Sequence, residues 1–296
     1  MLNRILDNRY TVLEHIGGDG TADVYRAHDK LLDRFVAIKM LHPQFVNDSD
    51  FKTRFKYEAQ AAAKLKAKGI EGLVVIGGDG SFHGADFLYK EHGIKAIGIP
   101  GTIDNDIAGS DYTIGYDTTL NIILDAMGKL RDTATSHERT YLLEVMGRHA
   151  GDLALYSCLA GGGDGLLIPE KGYSIDELAN QINQRRAQGK LHDIIVVAEG
   201  VGSAFDIAKD LKDKVKSEMR VTVLGHIQRG GTPSALDRII ATKMGAYAVD
   251  LLLEGTSGVM VGIESNKLVT YPISHAWEAK KVINEKDYEL ALILGK

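Results

Sequence analysis

Cysteine is almost absent. Cys158 stands alone, so an internal disulfide framework and a cysteine-based zinc cluster are both excluded. Proline is scarce, at 5 residues. No apolar run approaches the length of a membrane span. The opening Met1-Leu2-Asn3-Arg4 lacks the apolar core of a signal peptide, so the cytoplasm is the expected compartment and no membrane partner is expected. Charge of one sign is also lacking. The net charge is −5, with 11 Lys/Arg against 9 Asp/Glu in residues 1–66 and 24 against 31 in the remainder. Neither part offers the basic face that nonspecific nucleic-acid binding wants.

What is present is an ordinary globular mixture, 44% apolar and 25% charged, in 296 residues. That length suits one large α/β domain or two smaller ones. Glycine is plentiful, at 33, and gathers at the ends of apolar runs, where α/β proteins place ligand loops. From about residue 69 short β-branched runs alternate with helical stretches. Strands are expected at Leu73–Ile76, at Lys95–Ile99, and near 141–146, 194–198, 220–224 and 258–263. Helices are expected to about Glu91 and near 117–137, 150–160, 174–188, 204–217 and 234–253. Continuous apolar strands separated by helices argue for a mostly parallel sheet covered on both faces.

Residues 1–66 read differently. Tyr10–Ile16 looks like a strand, followed by a glycine turn, a Val24-Tyr25 segment, the run Phe35–Lys39 and a charged, alanine-rich helix over 50–66. The hexapeptide Ile16-Gly17-Gly18-Asp19-Gly20-Thr21 nearly repeats as Ile76-Gly77-Gly78-Asp79-Gly80-Ser81. The flanks do not repeat, which makes these two glycine turns after strands. A hairpin is expected over 10–28. The alternative is a βαβ unit with a helix over 21–32 and a parallel strand at 35–40.

Two strand ends carry candidate chemistry. At Gly77-Gly78-Asp79-Gly80-Ser81, glycines admit phosphate oxygens to backbone N–H groups and a helix N-terminus adds its dipole. Asp79 would repel a phosphate unless Mg²⁺ bridges the two. The plainer reading is a strand-to-helix turn with Asp or Ser as cap. At Pro100-Gly101-Thr102-Ile103-Asp104-Asn105-Asp106, a carboxylate could accept a proton from an attacking hydroxyl, or the run is an Asx turn. Cations follow: Arg131, His137, Arg139, Arg148, Arg220, His226 and Arg229 lie near successive strand ends, a pattern suited to a phosphorylated anion.

Together, Gly77–Ser81, Pro100–Asp106, Met146-Gly147-Arg148 and Leu224–Gly231 resemble, in order and spacing, the bacterial ATP-dependent 6-phosphofructokinases over about 66–296. The resemblance implies an α/β fold of two three-layer αβα lobes with the site between them. One lobe would hold about 67–115 and 228–278, the other 116–227 and 279–296. It also implies ATP- and Mg²⁺-dependent phosphorylation of fructose 6-phosphate, in glycolysis.

By that resemblance Asp104 is the base that deprotonates the sugar 1-hydroxyl, with Thr102, Asp106 and Arg148 beside the transfer. Asp79 is the Mg²⁺-linked carboxylate, and Gly78, Gly80, Ser81 and Gly84 line the ATP phosphates. Met146, Gly147, Arg148, Glu199, His226 and Arg229 bind fructose 6-phosphate with Thr102 and Asp104. Arg139 and Arg220 reach it across the interface of a homotetramer. Arg131, Asp164, Lys190 and His192 fall at an effector site for ADP or phosphoenolpyruvate, where relatives often carry Glu in place of Asp164.

The opening departs from that family. Its first strand, glycine loop and helix, with their ATP-binding arginines, have no counterpart before Lys66. Impaired turnover is therefore an expectation, and an inactive or regulatory sugar-phosphate-binding mosaic is the rival reading. Residues 1–65 instead resemble the amino lobe of a bacterial Ser/Thr protein kinase, in Arg9-Tyr10, Ile16-Gly17, Asp23–Ala27, Val36-Ala37-Ile38-Lys39 and Glu58. The resemblance would pair Lys39 with Glu58. No His-Arg-Asp catalytic loop or Asp-Phe-Gly follows, so protein-kinase chemistry has neither base nor metal ligand.

Overall fold

A computed structural model describes residues 2, 4–18, 22–41, 64, 65 and 67–295. It divides into two compact units, Met1–Ile70 and Glu71–Lys296.

The first unit is an antiparallel sheet of β1 (Ile5–Leu6), β2 (Tyr10–Gly18), β3 (Ala22–Asp29) and β4 (Arg34–Leu41), in that order. Alternating side chains suit a sheet with a buried face, and Val12 and Ala27 are buried there. Two register shifts, at Val12/Glu14 and His15/Gly17, bend β2. The Arg9 guanidinium grips Asp29 in two-pronged fashion, 2.7 Å at each oxygen, and holds its carboxyl down at about 2. Tyr10 pairs with Asp29 and Gly18 with Asp23 in antiparallel register, so the expected hairpin forms. A βαβ unit is overturned, because β4 also runs antiparallel to β3. The helix expected over 50–66, Glu58 included, falls almost wholly outside the described residues.

The second unit holds two four-stranded sheets. One has the order β12-β11-β6-β5, from β5 (Gly72–Gly77), β6 (Lys95–Pro100), β11 (Val259–Glu264) and β12 (Lys267–Pro272). Its strands are parallel except β12. The other, all parallel, has the order β10-β7-β9-β8, from β7 (Thr140–Val145), β8 (Gly165–Leu167), β9 (Asp193–Ala198) and β10 (Met219–Val223).

Helices cover both faces of both sheets: α1 (Asp79–His92), α2 (Tyr116–His137), α3 (Asp152–Gly161), α4 (Ile175–Ala187), α5 (Ala204–Leu211), α6 (Ala235–Leu253), α7 (His275–Glu278) and α8 (Glu285–Leu294). The period-2 alternation of strands explains the layering. Leu143, Val145, Ile194 and Val196 pack with α2 and α3, while Leu142, Ile195 and Val197 pack with α4 and α5. In the other sheet Ile97, Ile99 and Val261 meet α6, and Ala96 and Met260 meet Phe82 and Ala85 of α1.

The helix expected over 204–217 ends at Leu211. Val215 turns into the core, and Asn183 takes the Lys214 carbonyl and the Lys216 N–H. Cys158 is buried and free, its thiol pushed up to about 12 by burial. No helix among the described residues is long and apolar enough to cross a membrane.

Candidate active site

Five parallel strands deliver their C-terminal ends to one place, the edge at which open α/β sheets bind ligands. From β5 come Gly78 and Asp79, from β6 Thr102, Asp104 and Asp106, and from β7 Met146, Gly147 and Arg148. Beyond β9 lies Glu199, and the short turn Gly225–Arg229 beyond β10 carries His226 and Arg229, both exposed.

Gly78 is the N-cap of α1, in extended backbone, and Asp79 opens the helix. Gly80 and Gly84 sit one helical turn apart, and a Cβ at either would meet nothing within 4 Å. That leaves a bare strip of helix beside Asp79, open to a phosphate chain.

The Asp104 loop is built from inside. Gly101 N–H donates to the Gly77 carbonyl at 3.0 Å, joining the loops after β5 and β6. Asp104 N–H donates to Thr102 Oγ1 at 3.2 Å, and Thr113 Oγ1 donates to the Thr102 carbonyl at 2.6 Å. Asn105 takes a left-handed φ of 53°. Its amide donates to the Asp111 carbonyl at 3.1 Å and to Asp152 Oδ1 at 3.2 Å, and its oxygen accepts from Thr113 N–H at 3.0 Å. The loop is thereby tied to α3 and to its own return segment, residues 111–113.

Asp104 is 3% exposed, and its Oδ1 has no hydrogen-bond partner. Burial, with the nearby Asp106 carboxylate, pushes its carboxyl up to about 6, against the opposing pull of Arg229. A buried carboxylate with an idle oxygen and a pKa near neutrality is suited to accept a proton. Asp106 is likewise raised, by burial and by Asp79.

Arg148 joins the two sheets. Its Nη1 lies 3.1 Å from Asp79 Oδ1 and 3.9 Å from Asp106 Oδ2. Its backbone is left-handed, φ 52°, and its N–H donates to Glu199 Oε1 at 2.7 Å. Glu199 thus holds a conformation that a non-glycine residue resists. Asp79 remains easily ionised, because Gly80 N–H and Arg148 outweigh the burial that would raise it.

Asp79 and Asp106 are hard oxygen donors lining one cavity of about 510 Å³. Mg²⁺ commonly takes one or two carboxylates and completes its shell with substrate phosphates and water. The donor set fits that pattern, and among the described residues no cluster of three metal-ligating side chains exists.

Not every expected cation joins this edge. Arg139 precedes β7 and Arg220 is the second residue of β10, so both lie at the opposite, N-terminal edge, separated by strands about 17 Å long. There they share Glu218: Arg139 Nε lies 2.6 Å from it and Arg220 pairs with its other oxygen. Grouping them with His226 and Arg229 by residue type is corrected by strand direction.

Asp164, Lys190 and His192 also gather at that N-terminal edge. Lys190 pairs with Asp164, whose other oxygen accepts from Ile194 N–H at 2.7 Å. Arg131 donates to the carbonyls of Gly161 and Gly162, capping the end of α3.

Sequence reasoning misses three residues of the site. Asn105 stands inside the Pro100–Asp106 loop, and its position between two carboxylates is the available signal. Gln228, fully buried, accepts from Met146 N–H at 3.2 Å and so fixes the start of the β7 loop. Asp237 caps α2, accepting from the N–H groups of Gly115 and Thr118 at 2.9 and 2.8 Å. A glutamine within a glycine-rich turn and an aspartate early in a helix carry no distinctive sequence signal.

Comparison with known proteins places this geometry. The phosphofructokinase family model matches residues 46–252. The chain is 62% identical to an ATP-dependent 6-phosphofructokinase of Fusobacterium nucleatum over 242 residues, 81% of this chain and 75% of that protein. It is 54% identical to the ATP-dependent 6-phosphofructokinase of Bacillus subtilis over 82% of this chain and 75% of that protein. Among solved structures, phosphofructokinase from Saccharomyces cerevisiae superposes with a TM-score of 0.71 at 33% identity, covering 81% of this chain and 38% of the yeast chain.

Proposed function

The chain belongs to the phosphofructokinase family, and from that premise we propose that it transfers the terminal phosphoryl group of ATP to the 1-hydroxyl of fructose 6-phosphate, the committed sugar phosphorylation of glycolysis. The observation that carries this reading is Asp104, buried, raised to about 6 and left with an unpartnered oxygen at the edge where five strands converge.

Asp104 takes the hydroxyl proton as the oxygen attacks. Gly78, Gly80, Ser81 and Gly84 present the α1 N-terminus and its bare strip to the ATP phosphates. Asp79, with Asp106 nearby, would hold Mg²⁺, which when bound would neutralise charge on the transferring phosphates. Arg148, already between those two carboxylates, swings its guanidinium onto the developing negative charge. Met146, Gly147, Glu199, His226 and Arg229 hold the sugar, with Thr102 keeping the Asp104 loop in register. Catalysis of this kind is positioning plus electrostatic stabilisation.

Arg139 and Arg220 bind the 6-phosphate of a neighbouring subunit in a homotetramer. Their place at the sheet edge remote from their own Asp104 supports this reading. Arg131, Asp164, Lys190 and His192 form an effector site for ADP or phosphoenolpyruvate. Residues 66–296 make the catalytic domain, with an ATP lobe of about 67–115 and 228–278 and a sugar lobe of about 116–227 and 279–296. The enzyme works in the cytoplasm.

Residues 1–65 are read as a fragment like a protein-kinase amino lobe. The β2–β4 meander, with Lys39 on β4, supports this, while Glu58, the expected partner of Lys39, lies outside the described residues. The cations that would hold the sugar phosphate are present, whereas residues 1–65 carry no counterpart of the family's first ATP-binding segment, so sugar binding is expected to hold up better than turnover.

A coupled ADP-release assay with fructose 6-phosphate, run beside a titration of that sugar, tests the proposal. Sugar-dependent ADP release is expected. Tight binding with no release would instead favour a sugar-phosphate-binding role.

A further inference from the structure

Lys281 lies in the irregular stretch between α7 and α8, 171 residues from the loop that it touches. Its Nζ donates to the carbonyl of Ser110 at 3.0 Å and of Asp111 at 3.1 Å. The Asp111 carbonyl is the one that also accepts from the Asn105 amide, at 3.1 Å. One carbonyl therefore receives both the residue after Asp104 and a cation from the far end of the chain. Asp152, bonded to Asn105, stands beside them.

Three carboxylates face the ammonium, those of Asp152, Asp111 and Asp106, and burial presses its pKa down against them. Close packing does not hold this point. Cavities of about 430 and 510 Å³ lie against it, and Lys281 and Asp152 line both. The return of the loop is otherwise anchored on β11, where Asp111 N–H donates to the Ile263 carbonyl at 2.7 Å. Where cavities flank a loop, its position depends on its polar contacts.

We propose that Lys281 is a positioning residue for the Asp104 loop, latching residues 105–111 so that Asp104 is held toward the substrate side. It acts through Asn105 and the Asp111 carbonyl and touches no reacting atom. The proposal rests on the reading of Asp104 as base. It separates two roles within the loop: Thr102 and Thr113 close its near side, and Lys281 closes its far side.

The test uses the full chain with Lys281→Met, which keeps the stem and removes the charge, and Lys281→Arg, which restores a cationic donor. Hydrogen exchange is read at Asp104, Asp111, Thr113 and Ile114, whose amides are bonded within or across the loop. Tenfold or faster exchange at these amides is expected in Lys281→Met, with β7 and β9 unchanged and Lys281→Arg close to the parent chain. Turnover should fall about tenfold or more in Lys281→Met with KM for fructose 6-phosphate within about threefold, and recover in Lys281→Arg, because misplacing a catalytic group costs rate rather than ground-state binding.

Unchanged exchange over 102–114, or acceleration spread evenly through the second unit, overturns the proposal. If the parent chain releases no ADP, the assignment of function fails, and the exchange pattern alone decides Lys281. Should Lys281→Met not fold, Lys281→Gln is read by the same exchange measurement against the same outcomes.

Discussion

Two stretches of this chain are spelled almost identically and do different things. Ile16–Thr21 and Ile76–Ser81 differ at one position, Thr for Ser. Ile16–Gly18 of the first end β2, which pairs antiparallel with β3, and residues 19–21 lie outside the described residues. The second ends the parallel strand β5 and opens α1. Its first two glycines accept different surroundings: Gly17 and Gly18 pair with Val24 and Asp23 of β3, whereas Gly77 ends β5 and Gly78 caps α1. The flanking residues decide between them. After Thr21 comes Ala22-Asp23-Val24-Tyr25, a segment suited to strand pairing. After Ser81 come Phe82 and Ala85, three apart and both buried against Ala96 and Met260. The preceding residues matter as well: Leu73–Ile76 is a continuous apolar run, whereas 10–15 mixes apolar and polar residues. A glycine motif is thus a joint, and its chemistry comes from what its neighbours bring alongside. The second hexapeptide has Asp104 and Arg148 alongside.

The sharpest test of that difference is Asp104→Asn. It keeps shape and removes basicity, so phosphoryl transfer should fall about 10²- to 10⁴-fold while sugar affinity holds. Because burial raises the Asp104 carboxyl to about 6, kcat/KM of the parent chain should fall about tenfold per pH unit below that value. The stability effect has the opposite sign. The folded pKa lies above the ordinary value of 3.8, so the folded state favours the protonated form. The resulting cost is absent below about pH 4, develops between about 4 and 6, and is fully present above. Asp104→Asn should therefore be more stable at pH 7.5 by on the order of 2–3 kcal/mol. Denaturant titrations at pH 4 and 7.5 check this. A loss of stability at pH 7.5 would contradict the buried, unpaired carboxylate.

Asp79→Asn should cost about 10²–10³ in turnover, the scale of one lost electrostatic contact to a developing charge. Asp19→Asn, at the matching place in the first hexapeptide, should leave turnover within about twofold. A matching loss at Asp19 would mean that both glycine turns serve the reaction. Parallel steady-state assays of the two variants decide between these outcomes.

Phe82→Ala addresses packing. Phe82 is fully buried and lies so near β6 that a Cβ at Gly98 would come within 2.8 Å of its ring. Removing the ring should cost about 3–5 kcal/mol by equilibrium unfolding of the second unit. It should also loosen α1, and with it the orientation of Asp79. A cost under about 1 kcal/mol would show that α1 is held by something other than this residue.

The legible and illegible parts of the molecule divide along the same line. Strands β6, β7 and β9 are readable because buried parallel strands are continuous apolar runs ending in glycine or a charge, and β5 is readable from the same kind of run although it lies at the sheet edge with Val74 and Ile76 exposed. β8 has three residues, and β12 alternates along a half-exposed edge after a two-residue turn, so neither offers such a run. Asp79, Asp104 and Arg148 are legible because each lies just past a strand end. Arg139 and Arg220 carry the same residue type at the other end of their strands, and type alone does not report the edge. Lys281 and Asp237 are joined to the site only by tertiary contacts, across 171 and 122 residues. No local pattern marks such partners.

The smallest expected effect is the most direct check on the comparison itself. Thr21→Ser makes the two hexapeptides identical. If the six residues chose the conformation that follows them, a helix would then open from residue 22 onward, as α1 does after the second hexapeptide's glycines. Pairing opposes this. Each residue from Ala22 to Asp29 is matched against β4, from Leu41 back to Arg34, and β2 holds the other side. Helix formation over 22–29 would break both ladders and bring no apolar pair equivalent to Phe82 and Ala85 into a core. The substitution changes one β-branched residue of good strand propensity for a smaller one, worth at most about 1 kcal/mol on the strand scale. Far-ultraviolet circular dichroism should therefore be unchanged, and amide chemical shifts over 22–29 should stay in the strand range. Helical shifts there would show that the hexapeptide, and not its neighbours, chooses between hairpin and helix.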